Sequence, residues 1–154
     1  MPNTDRLERH AVLNTPLERV WSAIVESASF GAWFGAKFDG PFVVGQTISG
    51  RIVPTQVGTV VAASQEPHRH APLALEIVAS EPMSRFVFRW NGALESEVMT
   101  TVTFDLKPHA EGVSLSIIEQ GFDELSEPLS SSTRESNGAG WEAQLGLIAA
   151  YLAR

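Results

Sequence analysis

The chain has no cysteine at all. That absence excludes disulfide staples, thiolate nucleophiles and cysteine-based zinc sites. Positive charge is scarce too: 11 Lys and Arg stand against 18 Asp and Glu, a formal net charge of −7. The few cations do not cluster, so nucleic acid is a poor partner, because phosphate binding needs a concentrated basic face. An anionic membrane surface is disfavoured for the same reason. Long apolar runs are also missing. No stretch approaches the ~20 residues of a membrane span. The start, Met1-Pro2-Asn3-Thr4-Asp5-Arg6, is polar and no apolar segment follows it. No secretory leader is expected, and the cytoplasm is the default location. A Gly-x-Ser-x-Gly elbow and the glycine-rich phosphate loops are absent, so neither nucleophilic catalysis nor a nucleotide is indicated. No cofactor is called for.

What is present is an ordinary globular mixture. The 154 residues are 44% hydrophobic, enough for one domain, residues 1–154, with a core that needs no staples. Leu7 to Leu13 reads as a strand with Leu7, Arg9, Ala11 and Leu13 on one face. Thr15-Pro16-Leu17-Glu18 has the form of a capping box, and Leu17, Val20, Trp21 and Ile24 follow at helical spacing. Phe30 to Gly35 reads as a short second helix or turn closed by glycine. Gly45, Gly50 and Gly58 punctuate short β-branched runs, as in a meander of hairpins. Phe86, Phe88 and Trp90 alternate on one face of a strand, with Arg85 and Arg89 opposite. Val98, Val102, Phe104 and Leu106 form the inner row of the next. His109 to Gly112 is a turn, after which Val113, Leu115 and Ile117 return. Ser132-Thr133-Arg134-Glu135 is a second capping-box pattern, with Ser130 to Ser132 as a turn before it. Trp141, Leu145, Ile148 and Leu152 then recur at i, i+4, i+7 and i+11 of a long helix. One-sided strands with helices on one face make an α+β architecture.

In this order the motifs resemble a known superfamily. Pro16 to Trp21 resembles the "P-x-x-x-V-W" helix start of START/polyketide-cyclase-like proteins. Trp33-Phe34 resembles the aromatic pair of the subgroup of the heat-shock-protein-90 ATPase activator. Pro82 to Trp90 is similar to that subgroup's "P-x-x-R-h-x-h-x-W" strand, where h is apolar. Thr101 to Leu106 and Gly112 to Phe122 resemble its paired strands ending in Gly-Phe, and Gly140-Trp141 followed by Leu145 resembles its terminal helix. The resemblance spans roughly residues 6 to 154. It implies a helix-grip fold: a curved antiparallel sheet of six or seven strands wrapped around the C-terminal helix, with one or two short helices after the first strand. It also implies a cavity between sheet and helix. The eukaryotic activator carries a further N-terminal domain, and here only a handful of residues precede the first strand. ATPase stimulation is therefore not among the expectations.

The expected cavity lining is Trp33, Phe86, Phe88, Trp90, Phe104, Gly138, Trp141 and Leu145, although each aromatic serves a plain core equally well. Gly138 stands out because glycine inside a helix costs about 1 kcal/mol relative to alanine. It leaves room for a ligand, lets a bulky strand residue such as Trp90 pack close, or precedes the start of the helix. Gly140 needs a reason of the same kind. The candidate polar anchors are Glu119, which continues the inward row of β residues, and Arg9, whose face points the same way. Glu119 reads equally as a solvated strand end. His68 and His70 beside Glu66 have a weak metal-ligand spacing; a solvated loop is the better reading, and no metal is assigned. Three functions are ranked. First is non-enzymatic binding or carriage of a small hydrophobic ligand, extending to lipid-like molecules. Second is a polyketide-cyclase or aromatase-like enzyme, which needs two convergent ionisable groups. Third is a chaperone-associated or stress-related interaction module. Edge strands of such folds often pair, so a homodimer is a further candidate assembly, and a chaperone a further partner.

Overall fold

The computed structural model describes residues 5–91 and 98–154; the polar start Met1 to Thr4 lies outside it. Strand β1 (Arg6–Leu13) leads into α1 (Leu17–Val25) and α2 (Ser27–Phe34). Short strands β2 (Ala36–Phe38) and β3 (Thr47–Ile52), helix α3 (Thr59–Gln65) and a 3-10 turn (Glu66–His68) follow. Then come β4 (Pro72–Glu81), β5 (Arg85–Asn91), β6 (Met99–His109) and β7 (Gly112–Gln120). A 3-10 turn (Phe122–Glu124) precedes the long helix α4 (Leu129–Leu152). The strands form one antiparallel sheet in the order β1-β7-β6-β5-β4-β3-β2. The curved sheet grips α4 on one face, the helix-grip arrangement that the resemblance implies.

Alternation explains which face is buried. Phe86 and Phe88 of β5, Val102, Phe104 and Leu106 of β6, and Val113, Leu115 and Ile117 of β7 are all buried. They meet Trp141, Leu145, Ile148 and Leu152 of α4, also buried. Phe30 and Trp33 of α2 fill the space between, with ring centroids 4.8 Å apart. Gly35 takes a left-handed φ of 98° and ends α2, which glycine does without strain. Ala110 and Glu111 join β6 to β7, and Gly112 follows at φ 136°.

Three local expectations need correction. The run after Gly58 is helical, not a hairpin strand. Here Val60 points to solvent, while Gln65 at the helix end donates to the Phe34 carbonyl at 3.0 Å and accepts from the Thr55 amide at 2.8 Å. Tertiary hydrogen bonds outweigh the weak β preference of two valines. The first capping box is displaced by one residue: Pro16 occupies the cap position of α1, without a side-chain bond. Finally, Ser130 to Ser132 form the first turn of α4 and no separate turn. Glu127 replaces the expected cap, accepting from the Ser131 amide at 2.7 Å and its hydroxyl at 2.5 Å. Ser130 donates its hydroxyl to the Phe122 carbonyl at 2.8 Å. Serines that ordinarily compete with a helix are thus used at its start, where amide groups lack partners.

Candidate functional site

The site grows from the ends of the inward rows. On β7 the row Val113, Leu115, Ile117 continues to Glu119, so alternation carries a carboxylate into the interior. Its side chain is fully buried, at 0% exposure. On β5 the row Phe86, Phe88 continues to Trp90, which pairs across the sheet with Thr100 of β6. Glu119 pairs with Val102, and Thr100 lies diagonally from it, within reach on the same face. From above, α4 presents Asn137 and Trp141, one helical turn apart and therefore side by side.

These four donors converge on Glu119. Oε1 accepts from the Trp141 indole N–H at 2.9 Å and from the Asn137 amide at 3.2 Å. Oε2 accepts from the Trp90 indole at 2.9 Å, the Thr100 hydroxyl at 2.5 Å and the same Asn137 nitrogen at 3.2 Å. A carboxylate has about four lone-pair sites, so its hydrogen-bonding capacity is filled. None of the ion pairs among the described residues includes Glu119. Burying an acid without a cation is costly unless donors replace its water. Here two indoles, a hydroxyl and an amide do so.

Beside this cluster opens a cavity of about 250 Å³ lined by Phe34, Trp90, Ser136, Asn137, Gly140, Trp141 and Gln144. Trp90 and Trp141 stack with centroids 5.4 Å apart and Phe34 lies 6.0 Å from each. Gln144 donates its amide to the Phe34 carbonyl at 3.0 Å and keeps its oxygen buried without a partner.

The sequence-derived candidates divide accordingly. Trp90 and Trp141 line this cavity. Phe88 and Phe104 stand behind its wall, edge-on to Trp90 at 5.6 Å and to Trp141 at 5.7 Å. Phe86 and Leu145 are buried in the core. Trp33 is there too, donating its indole N–H to the Ala23 carbonyl at 2.8 Å. Gly138 faces β1, not the cavity: a Cβ there would lie 2.6 Å from Arg9 Nη2 and 3.8 Å from Leu7. Its close neighbour is thus a β1 side chain, and Trp90 is not among the nearest atoms. Gly140 is the helix glycine on the cavity wall, with open space beyond it. Arg9 does not reach Glu119. It bonds the Glu8 carbonyl at 2.9 Å and pairs at the surface with Glu142 at 3.5 Å.

The Glu66 carboxylate is occupied by Arg69, at 2.8 and 2.9 Å. That bond holds it below the ordinary glutamate value. Among the described residues no three His, Asp or Glu side chains gather to hold a metal ion. Nor is any helix there long and apolar enough to cross a membrane.

Sequence reasoning missed Phe34, Ser136, Asn137, Gly140 and Gln144 as lining. A usable signal existed on α4: positions 136–137, 140–141 and 144 form a polar and small-residue stripe beside the apolar one.

The fold recurs in solved structures. MLL2253 from Mesorhizobium loti is 20% identical, with a TM-score of 0.73 over 97% of both chains. CV1439 from Chromobacterium violaceum is 20% identical, with a TM-score of 0.72 over 99% of both. DynU16, a protein of the dynemicin biosynthetic locus, is 22% identical with a TM-score of 0.72; 99% of this chain matches 48% of it, so the chain spans about half its length. At these identities the likeness is one of fold. No curated protein matches the sequence. A sequence model of the family described as "Activator of Hsp90 ATPase homolog 1-like protein" matches residues 14–153. With nearly the whole length matched and the START-like helix grip in place, this chain belongs to the Activator of Hsp90 ATPase homolog 1-like family.

Proposed function

We propose that the protein binds a small, largely apolar molecule in the cavity between α2, β5 and α4. The carrying observation is the composition of the wall: three aromatic rings, one glycine, and Ser136, Asn137 and Gln144 as polar points. Apolar surface with a few placed polar groups is the usual make-up of a ligand site. At about 250 Å³ the cavity suits a molecule below drug size, smaller than a long lipid chain.

The cyclase-like reading needs two convergent ionisable groups, and among the described residues none that lines the cavity is titratable. The nearby Glu119 carboxylate has its oxygens committed to four donors. Binding without chemistry is therefore favoured. The likeness to DynU16 carries the fold and not a ligand. A chaperone-associated role rests on the family name alone.

Native and denatured mass spectra of the purified protein test the proposal, with a titration of small aromatic molecules followed at the tryptophan indole N–H signals. A bound mass lost on denaturation, or saturable shifts of Trp90 and Trp141, is the expected result. A bare mass together with unmoved indole signals across the panel would overturn it.

A further inference from the structure

The cavity wall also specifies charge. Each indole has a single N–H donor, and those of Trp90 and Trp141 are both spent on Glu119. Asn137 turns its amide nitrogen to the same carboxylate. The Gln144 nitrogen is committed to the Phe34 carbonyl. That contact fixes the orientation of the amide, because a flip would set oxygen against oxygen. The Gln144 oxygen is then left buried without a donor. Both indole N–H groups and one N–H of each amide are thus directed inward, and the Ser136 hydroxyl, which can donate or accept, stays on the wall. The rings of Phe34, Trp90 and Trp141 line the remaining wall, and the face of an aromatic ring carries negative potential. Directly behind them lies a fully buried carboxylate that takes part in no ion pair among the described residues. The net charge of −7 adds a long-range field of the same sign.

Resting on the ligand-site reading above, we infer that the cavity selects a small organic cation: a protonated amine on a compact apolar or aromatic body. A neutral or anionic molecule of the same shape is disfavoured. The Glu119 charge is screened by protein and not by water, so it acts through the wall. Cation–π attraction to Trp90, Trp141 and Phe34 acts in the same direction. The ammonium loses hydration on entry, which offsets part of the gain. A preference of about tenfold over the neutral isostere remains, by Coulomb attraction at an effective dielectric of about 20.

The test uses three probes of one shape and three charges: benzylammonium, benzyl alcohol and benzoate. Each is titrated near neutral pH into the isotopically labelled protein, with the Trp90 and Trp141 indole N–H signals as the readout. Benzylammonium is expected to bind about tenfold tighter than benzyl alcohol, with benzoate the weakest. Equal or tighter binding of benzyl alcohol or benzoate would overturn the inference while leaving the ligand site intact. No indole shift from any probe up to its solubility limit would overturn both. In Glu119→Gln, provided its circular dichroism is native, the gap between amine and alcohol should shrink; an unchanged gap would refute the part assigned to Glu119. The wild-type series decides the charge preference even if that variant does not fold.

Discussion

Thr100→Val isolates the buried carboxylate cluster. Thr100 is fully buried, and its hydroxyl donates to Glu119 Oε2 at 2.5 Å. Valine keeps the branched shape, so no large cavity opens and the change is chiefly the loss of one donor. A hydrogen bond to a charged group contributes about 1.5–3 kcal/mol, against about 1 for a neutral pair. In a chain of this length each kcal/mol moves Tm by about 2–4 °C, which puts the expected fall at about 3–12 °C. Urea unfolding should show a lower midpoint with an unchanged slope, since the surface exposed on unfolding is the same. The coupling is measured by a double-mutant cycle with Glu119→Gln. If the hydroxyl acts through the carboxylate, the two changes are non-additive by at least about 1 kcal/mol, because residues sharing one network do not add. A loss below about 0.5 kcal/mol for Thr100→Val, or additivity within about 0.5 kcal/mol, would refute the picture of a carboxylate held by committed donors.

Two further outcomes follow from local geometry. Glu127 is held below the ordinary glutamate value, first by the Ser131 hydroxyl and then by the Ser131 amide. A depressed acid stabilises above its unfolded value and loses that contribution as pH falls through the folded one. The first turn of α4 should therefore keep its Ser131 amide protected through mildly acidic pH and lose protection only below the usual glutamate range. A Ser131 amide shift that titrates at or above the ordinary glutamate value would contradict the cap. On the same helix, Gly140→Leu and Gly138→Leu should behave oppositely. Gly140 borders the cavity with open space beyond, so leucine there should fill it and abolish benzylammonium binding with little loss of stability. Gly138 faces Arg9 and Leu7, so leucine there should cost about 1–3 kcal/mol by overpacking and leave binding intact. Denaturant midpoints and the same probe titration separate the two; loss of binding in a folded Gly138→Leu protein would reverse the assignment.

The limits of the sequence are clearest at Glu119. Strict alternation from Val113 places residue 119 on the inner face, and a period of two does not depend on what lies elsewhere. For the same reason the rows Phe86-Phe88-Trp90 and Val102-Phe104-Leu106 were legible, and so was the stripe Trp141-Leu145-Ile148-Leu152. Whether an inward glutamate is solvated or enclosed is a different kind of question. Its answer depends on Trp90 and Thr100 from two other strands and on Asn137 and Trp141 from a helix that begins nine residues after β7 ends. None of these separations is periodic, so no pattern along the chain announces them. The same holds for the two helix glycines. Helical spacing puts Gly138 and Gly140 about 200° apart around the axis, so they cannot serve one face. The sequence alone does not show which of those faces meets β1 and which meets the cavity. Arg9 settles it: its guanidinium lies where a Gly138 side chain would stand and pairs with Glu142 one turn on. The one cation on the inward face of β1 is thereby drawn to the outer surface of α4, and the carboxylate at the cavity is left to neutral donors. A surface ion pair of this kind stabilises little in itself. Its consequence is electrostatic: with Arg9 turned away, no cation of β1 offsets the buried carboxylate, and the four neutral donors alone hold it.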